Sequence, residues 1–290
     1  MKSNQLCLTK NIVEDIFDDE SIMEMQEIMI RLAMGKKASP DRLYRVSKYL
    51  SIEVNKNSKM IGHVSNIKDK DEYTYNHSIN VAIYSAFIGK LLSLKEQEII
   101  ELIQASLLHD IGKSKVPGEI LNKKGKLTKE EFAIVKKHTI DGYNMSKNIS
   151  CLTEDVRKAI LFHHEREDGS GYPYGIKGNN INMYAKIIAI SDVYDALTSE
   201  RVYKKKSTPF DAIEEFYRIG SHKFNKYILN LFFKNIIHFY INSKVKLNDG
   251  TIGKIEFIYP TNPLKIIINI DGNYINLFEY NSAKIEEIVG

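Results

Sequence analysis

Five histidines and two aspartates carry the chemistry of this 290-residue sequence. His77, His109, His138 and the adjacent pair His163 and His164 follow one another at steps of 32, 29 and 25 residues. Asp110 comes directly after His109, and Asp192 lies 28 residues beyond His164. Imidazole nitrogens and carboxylate oxygens make a mixed donor set. It suits iron, manganese or another borderline-to-hard divalent ion better than a thiol-seeking one. Seven donors are too many for one ion in a compact site. Two ions sharing a carboxylate use them all, and a two-metal site is a device for phosphoryl transfer and hydrolysis.

Neighbouring residues of a helix point about 100° apart, so His109 and Asp110 can grip different sides of such a cluster. Lys113 lies three residues after Asp110, within reach of a phosphate held on the ions. A lone histidine on an apolar helix is most often a satisfied core residue. That bland account must here explain seven residues at once, which it does not. His63, His222 and His238 lack such partners and read as structural. Asp195, three residues after Asp192, reads as a carboxylate that supports the helix or a neighbouring ligand.

Helices must position these residues, because each step between histidines is about one helical hairpin. Residues 11–60 carry Ile, Phe, Met and Leu at three- and four-residue spacings, with Ser39 and Pro40 as a cap and first turn. A helix over 71–90 places His77, Val81 and Tyr84 along one stripe. "KEQEIIELIQASLLHDIGKSKV" reads as one apolar helix carrying His109, Asp110 and Lys113. "LTKEEFAIVKKHTIDGYNMSKN" opens on a capping box, Thr128 with Glu131, and carries His138. "TEDVRKAILFHHE" ends on the histidine pair before the "DGSGYP" turn, which Asp168, Gly169 and Gly171 shape. "MYAKIIAISDVYDALTSE" carries Asp192, and Thr208 and Pro209 start a further helix.

Past about residue 241 the texture becomes β-rich, with Asp-Gly turns and an alternation of Ile255, Phe257 and Tyr259. The expected organisation is helices over 1–60 that complete the bundle, a catalytic domain over 61–238, and a small β-barrel or meander over 241–290. Fifty residues are marginal as an independent unit, so the tail is expected to dock on the helices.

Composition bounds the alternatives. The chain is 43% hydrophobic and 27% charged with a formal net charge of +4, ordinary for a globular protein and too weakly basic to argue nucleic-acid binding. Two cysteines, Cys7 and Cys151, exclude a disulfide framework and a thiolate zinc site. No apolar run reaches the roughly 18 residues of a membrane span, and charge interrupts the first residues too early for a secretory signal. A cytoplasmic protein with no membrane and no nucleic-acid polymer as partner is the simplest expectation.

"HDIGK", "KLTKEEFAIVKKHTIDG", "HHEREDGSGYPYGIKG" and "SDVYDALTSERVYKK" together resemble the HD-GYP phosphodiesterases, a branch of the HD hydrolases. The resemblance runs from "DEYTYNHS" at 71–78 to about residue 235, with the motifs in the family's order. It implies a mainly α fold, an HD-type helical bundle, ahead of the β-rich tail. It also implies that His77, His109, Asp110 and Asp192 hold one ion, and that Asp110 bridges to a second held by His138, His163 and His164. Lys113 would contact the scissile phosphate. Arg201 and Lys204 match the basic positions that grip substrate, and Tyr172 lies in the namesake loop. Some members take a third ion through a Glu four residues before the first His. Tyr73 stands there, so two ions, iron or manganese, are expected. Lys186 stands where Arg is usual, a small change if the role is electrostatic.

The activity so implied is hydrolysis of cyclic di-GMP to linear pGpG by a hydroxide bridging the two ions, a second cut to GMP being left open. Lys113 would offset charge developing on the phosphoryl oxygens. Three alternatives stand beside it: another cyclic dinucleotide such as cyclic GMP-AMP, a nucleotide phosphohydrolase, and a catalytically silent nucleotide-binding signalling module. Degenerate members usually lose ligands, and all seven are present, which favours catalysis. A homodimer or a signalling-protein partner is compatible with the resemblance.

Overall fold

The computed structural model describes residues 39–56, 61, 73–199, 207–279 and 283–289, with isolated positions between 27 and 36; side chains are described from residue 76 in the stretch that opens at 73. Residues 11–26 of the expected helical region 11–60, Cys7, His63, the Tyr73 side chain, Arg201 and Lys204 lie outside the described residues.

The helices are α1 (Pro40–Lys56), α2 (Tyr73–Leu91), α3 (Glu96–Leu108), α4 (Gly118–Leu121), α5 (Lys129–Lys136), α6 (His138–Ser146), α7 (Glu154–Phe162), α8 (Met183–Thr198), α9 (Pro209–Ile219) and α10 (Lys226–Ile236). Two apolar helices form the centre. α2 packs on α3 and α8, α7 lies against α3 and α8, and α1 covers α3. α2 and α3 are buried on nearly all sides, as their all-round apolar composition requires.

Aromatic packing joins this centre to the end of the bundle. Tyr84 of α2, Tyr194 of α8 and Phe232 of α10 are fully buried. The Tyr84 and Tyr194 rings meet edge to face at 5.0 Å, and Tyr194 meets Phe232 at 5.0 Å. Edge-to-face contact adds about 0.5–1.5 kcal/mol beyond area burial.

Two expected helices break where function needs a new direction. The apolar helix stops at Leu108, and after His109 and Asp110 the chain continues as a 3-10 turn, Ile111–Lys115. That turn packs on α6, with Gly112 against its backbone: a Cβ there would stand 2.0 Å from the His138 carbonyl oxygen and 2.6 Å from the Gly142 nitrogen. Only glycine permits the approach. The other helix divides at Lys137 into α5 and α6. The Thr128–Glu131 capping box opens α5.

The tail forms a five-stranded antiparallel sheet of order β4-β3-β2-β1-β5, from β1 (Lys244–Leu247), β2 (Ile252–Ile258), β3 (Ile266–Ile270), β4 (Asn273–Asn276) and β5 (Ile285–Ile288). Its buried Val245, Ile255, Ile258 and Ile268 continue the helical core through Ile237 and Tyr240. The expected alternation fails in β2. The β2–β3 register shifts between Ile255 and Phe257, so Ile258 is buried and Phe257 is 44% exposed. One extra residue sends every following side chain to the opposite face.

Candidate metal centre

His109, His138 and His163 all sit at helix breaks, and the break decides their chemistry. Each Nδ1 bonds to the backbone carbonyl three residues earlier: Ser106 at 2.7 Å, Val135 at 2.7 Å and Ile160 at 2.8 Å. The last carbonyls of a helix lack intrahelical donors, which makes them available. A carbonyl only accepts, so Nδ1 carries the proton and each Nε2 presents its lone pair. His77 lies in the second turn of α2, where the carbonyls are engaged along the helix. Its Nδ1 instead bonds to Asp195 Oδ2 at 2.7 Å, and Asn80 and Ser199 hold Asp195 Oδ1 at 2.8 and 2.7 Å.

These nitrogens converge on Asp110. Its Oδ2 lies 3.3 Å from His109 Nε2 and 3.7 Å from His77 Nε2, while Oδ1 lies 3.3 Å from His138 Nε2 and 3.9 Å from His163 Nε2. His77 Nε2 also lies 3.2 Å from Asp192 Oδ1. The donors fall into two groups, Asp110 with His138, His163 and His164, and His77 with His109 and Asp192. Within each group the donor atoms lie within 4.8 Å of one another. One carboxylate thus turns an oxygen to each group. Lys113 Nζ bonds to Asp110 Oδ2.

The charges follow the geometry. Burial alone would raise the Asp110 carboxyl, yet His109 and Lys113 hold it well below its ordinary range. Burial would raise Asp192 too, but its hydrogen bond to His77 and the charge there hold it well below its ordinary range. Burial works against a charge on His77, but Asp192 and Asp195 push it up to about 10. His163 and His164 go the other way. Burial, and for His163 the neighbouring imidazoles, keep both well below 6.5 and so neutral.

The donor set fits a divalent-metal site on three observations. His109 Nε2 and Asp110 Oδ1 are buried and make no hydrogen bond among the described residues. Buried polar atoms without partners are rare and call for an explanation such as an ion. His138 Nε2 and His163 Nε2 face each other at 3.4 Å with both Nδ1 protons already engaged, so two lone pairs meet unless a cation stands near. The mixed nitrogen and oxygen set matches borderline-to-hard ions.

The loop after the histidine pair walls one side. Tyr172 stacks on His164 with ring centres 4.6 Å apart at 29°. Its backbone N–H donates to the His164 carbonyl at 3.2 Å, closing the loop onto the helix end. Gly171 is required there, since a Cβ would come within 2.4 Å of that carbonyl. Glu165, 2% exposed, accepts from the Tyr174 and Gly175 N–H groups at 2.7 and 3.0 Å. Lys186 of α8 lies 3.1 Å from Glu167 Oε1, which Asn225 also binds at 3.1 Å.

All seven sequence-derived donors, Lys113 and Tyr172 come together in this one region, and the structure says nothing of Arg201 or Lys204. Sequence reasoning left Glu165 without a role. Its position directly after the histidine pair and before a glycine-rich turn was the available signal. His222 lies 3.5 Å from Asp168 and His238 bonds to the Lys234 carbonyl at 2.6 Å, and neither belongs to either donor group.

A helical bundle that delivers histidines and aspartates from successive helices to one shared carboxylate defines a class of metalloprotein. A family profile described as HD domain matches residues 63–226, and the chain belongs to that family. Its order of motifs is that of the HD-GYP branch. Among curated relatives it is 40% identical over 190 residues to the cyclic di-GMP phosphodiesterase PA4108 of Pseudomonas aeruginosa, covering 64% of this chain and 45% of the relative. It is 39% identical over 135 residues to the 3'3'-cGAMP-specific phosphodiesterase 3 of Vibrio cholerae, covering 47% of this chain and 29% of the relative. The chain thus spans about half the length, or less, of these relatives. In fold it is similar to Bd1817, an HDG"Y"P protein from Bdellovibrio bacteriovorus, with a TM-score of 0.61 at 17% identity over 76% of this chain and 75% of that one.

Proposed function

We propose that this chain is a metal-dependent phosphodiesterase that opens cyclic di-GMP to linear pGpG. The observation that carries the reading is Asp110, which turns one oxygen to each of two donor groups and carries Lys113 at its edge. His77, His109, Asp110 and Asp192 would hold one ion, and Asp110, His138, His163 and His164 the other, with iron or manganese suited to these donors. Bound there, divalent ions supply Lewis acidity toward a phosphoryl oxygen and a nearby water of lowered pKa.

The chain's own groups do the remainder. The fixed Nδ1–H tautomers of His109, His138 and His163 keep their Nε2 lone pairs aimed inward without rearrangement. The Lys113 ammonium, one-third exposed, stands where a phosphate diester meets Asp110 and offsets its charge. Tyr172 shields His164 from water on the loop side. Arg201 and Lys204 would hold the second phosphate of a cyclic dinucleotide. With such a substrate the reaction is read as cytoplasmic. No helix among the described residues is long and apolar enough to cross a membrane.

A second reading is cyclic GMP-AMP as substrate, favoured by the likeness to a cGAMP-specific relative. Purified protein loaded anaerobically with iron or manganese is incubated with each cyclic dinucleotide and the products are separated by chromatography. The proposal expects pGpG to accumulate from cyclic di-GMP, and any later GMP shows a second cut. Preferential cleavage of cyclic GMP-AMP selects the second reading. Tight nucleotide binding without products refutes both and leaves a silent sensor.

A further inference from the structure

One half-exposed aromatic lies just outside the wall of the metal centre. Phe132 sits on α5, a helix with no buried residue, held instead by its Thr128 cap and by Lys123 on Glu131 at 2.7 Å. Phe132 is 46% exposed. A single exposed apolar side chain is ordinary. Phe132 differs because of its neighbours. Its ring meets Tyr172 edge to face at 6.1 Å, and Tyr172 in turn stacks on His164. Lys136, one turn along α5, places Nζ 5.4 Å from the Phe132 ring centre and 6.0 Å from that of Tyr172. The same helix supplies the Val135 carbonyl that fixes His138, so a hydrogen bond ties this platform to the donor cluster.

Aromatic rings with a cation beside them are how proteins hold nucleobases. Stacking accepts any base, and the cation selects among them. Guanine offers two acceptors on one edge, O6 and N7, to a lysine; adenine presents an amino donor in place of O6. In a nucleotide the base lies one sugar away from the phosphate. A phosphate at Lys113 and the donor cluster therefore brings a base toward the wall formed by Tyr172 and, beyond it, Phe132.

We propose that Phe132 and Lys136, beside Tyr172, form a guanine subsite that reads one base of the substrate. This rests on the phosphodiester reading above and deepens it by naming the residues that discriminate the base. Lys136 donates to the guanine acceptors, and Phe132 supplies the stacking face.

The test separates base recognition from phosphate binding and needs no turnover. The full, metal-loaded chain is titrated calorimetrically with GMP, AMP and ribose 5-phosphate, the last having the same sugar and phosphate without a base. GMP is expected to bind about tenfold more tightly than ribose 5-phosphate, the scale of one stacked base. Phe132→Ala should remove that difference while leaving ribose 5-phosphate affinity and metal content unchanged, and Phe132→Trp should restore it. Lys136→Met should erase the preference for GMP over AMP. Equal binding of GMP and ribose 5-phosphate by the wild type overturns the subsite. So does a Phe132→Ala protein that keeps its preference for GMP, or loses both ligands alike. Binding of neither phosphate overturns the subsite together with the reading beneath it. A chain that binds GMP as expected and cleaves no cyclic dinucleotide keeps the subsite and refutes the activity alone.

Discussion

The Nδ1 of His77 is bonded to Asp195 Oδ2 at 2.7 Å, and no backbone carbonyl replaces that carboxylate among the described contacts of the ring. The other inward-facing histidines with a resolved Nδ1 contact use main-chain carbonyls at helix ends. Within a helix those carbonyls are engaged with N–H groups four residues on, so a side chain must do the work. Asp195 is itself fully buried and held by Asn80 and Ser199.

Asp195→Asn should therefore weaken metal uptake at the His77 end without unfolding the bundle. An amide can donate as well as accept, so it no longer enforces a proton on Nδ1 of His77. Loss of such support for a ligand typically costs about 10–100-fold in metal affinity. Metal titration followed by calorimetry should resolve one weakened and one unchanged binding event. Two unchanged events would show that His77 needs no such support.

Gly112→Ala should destabilise the fold and disorganise the site together. The added methyl would stand 2.0 Å from the His138 carbonyl oxygen, and backbone on both sides has little room to yield. Overpacking a well-packed contact costs about 1–3 kcal/mol, and this one belongs at the upper end. Urea unfolding should show the lowered midpoint. A variant with wild-type stability and metal content would contradict the close approach.

Glu165→Ala should loosen the loop that carries Tyr172. The Glu165 carboxylate accepts two backbone N–H groups, from Tyr174 and Gly175, and hydrogen bonds to a charged group are each worth about 1.5–3 kcal/mol. Faster amide exchange across residues 168–175, with the helices unchanged, is the expected signature. Unaltered exchange in that loop would remove Glu165 from its role.

Stability should fall as pH rises above 10. Tyr240 is buried, and burial pushes its phenol up to about 12, while burial likewise raises Tyr84 and Tyr194 well above 10. Between the unfolded value near 10 and the folded value the unfolded chain gives up the proton and the native protein keeps it. The contribution is thus complete below pH 10 and lost as pH climbs through about 12. Each such phenol steepens the decline by about 1.4 kcal/mol per pH unit. Tyr240→Phe should flatten the slope measured by denaturant unfolding between pH 10 and 11.5. An identical slope would mean that another group governs the alkaline loss.

The residues that bind were legible because chemistry constrains residue type and helices constrain spacing. Five histidines and two aspartates at hairpin intervals announce a metal cluster in one dimension, and the Thr128–Glu131 capping box announces the start of α5 in the same way. The helix breaks at His109–Asp110 and Lys137 were not legible. Both lie inside stretches of sound helical periodicity, and what ends the helices is contact with partners distant in the chain, such as the Gly112 approach to α6. The β2 bulge escaped for the same reason, since local alternation carries no record of a register set by β3.

Residue types and their order alone thus determined that a bundle would gather imidazoles around a carboxylate. Tertiary structure alone decided which nitrogen of His109, His138 and His163 faces inward, that Asp110 offers one oxygen to each side, and that Phe132 is left half-exposed beside Tyr172. Tautomers, carboxylate orientation and exposure depend on groups brought near from elsewhere in the chain. Pairings of that kind exist only once the helices have packed.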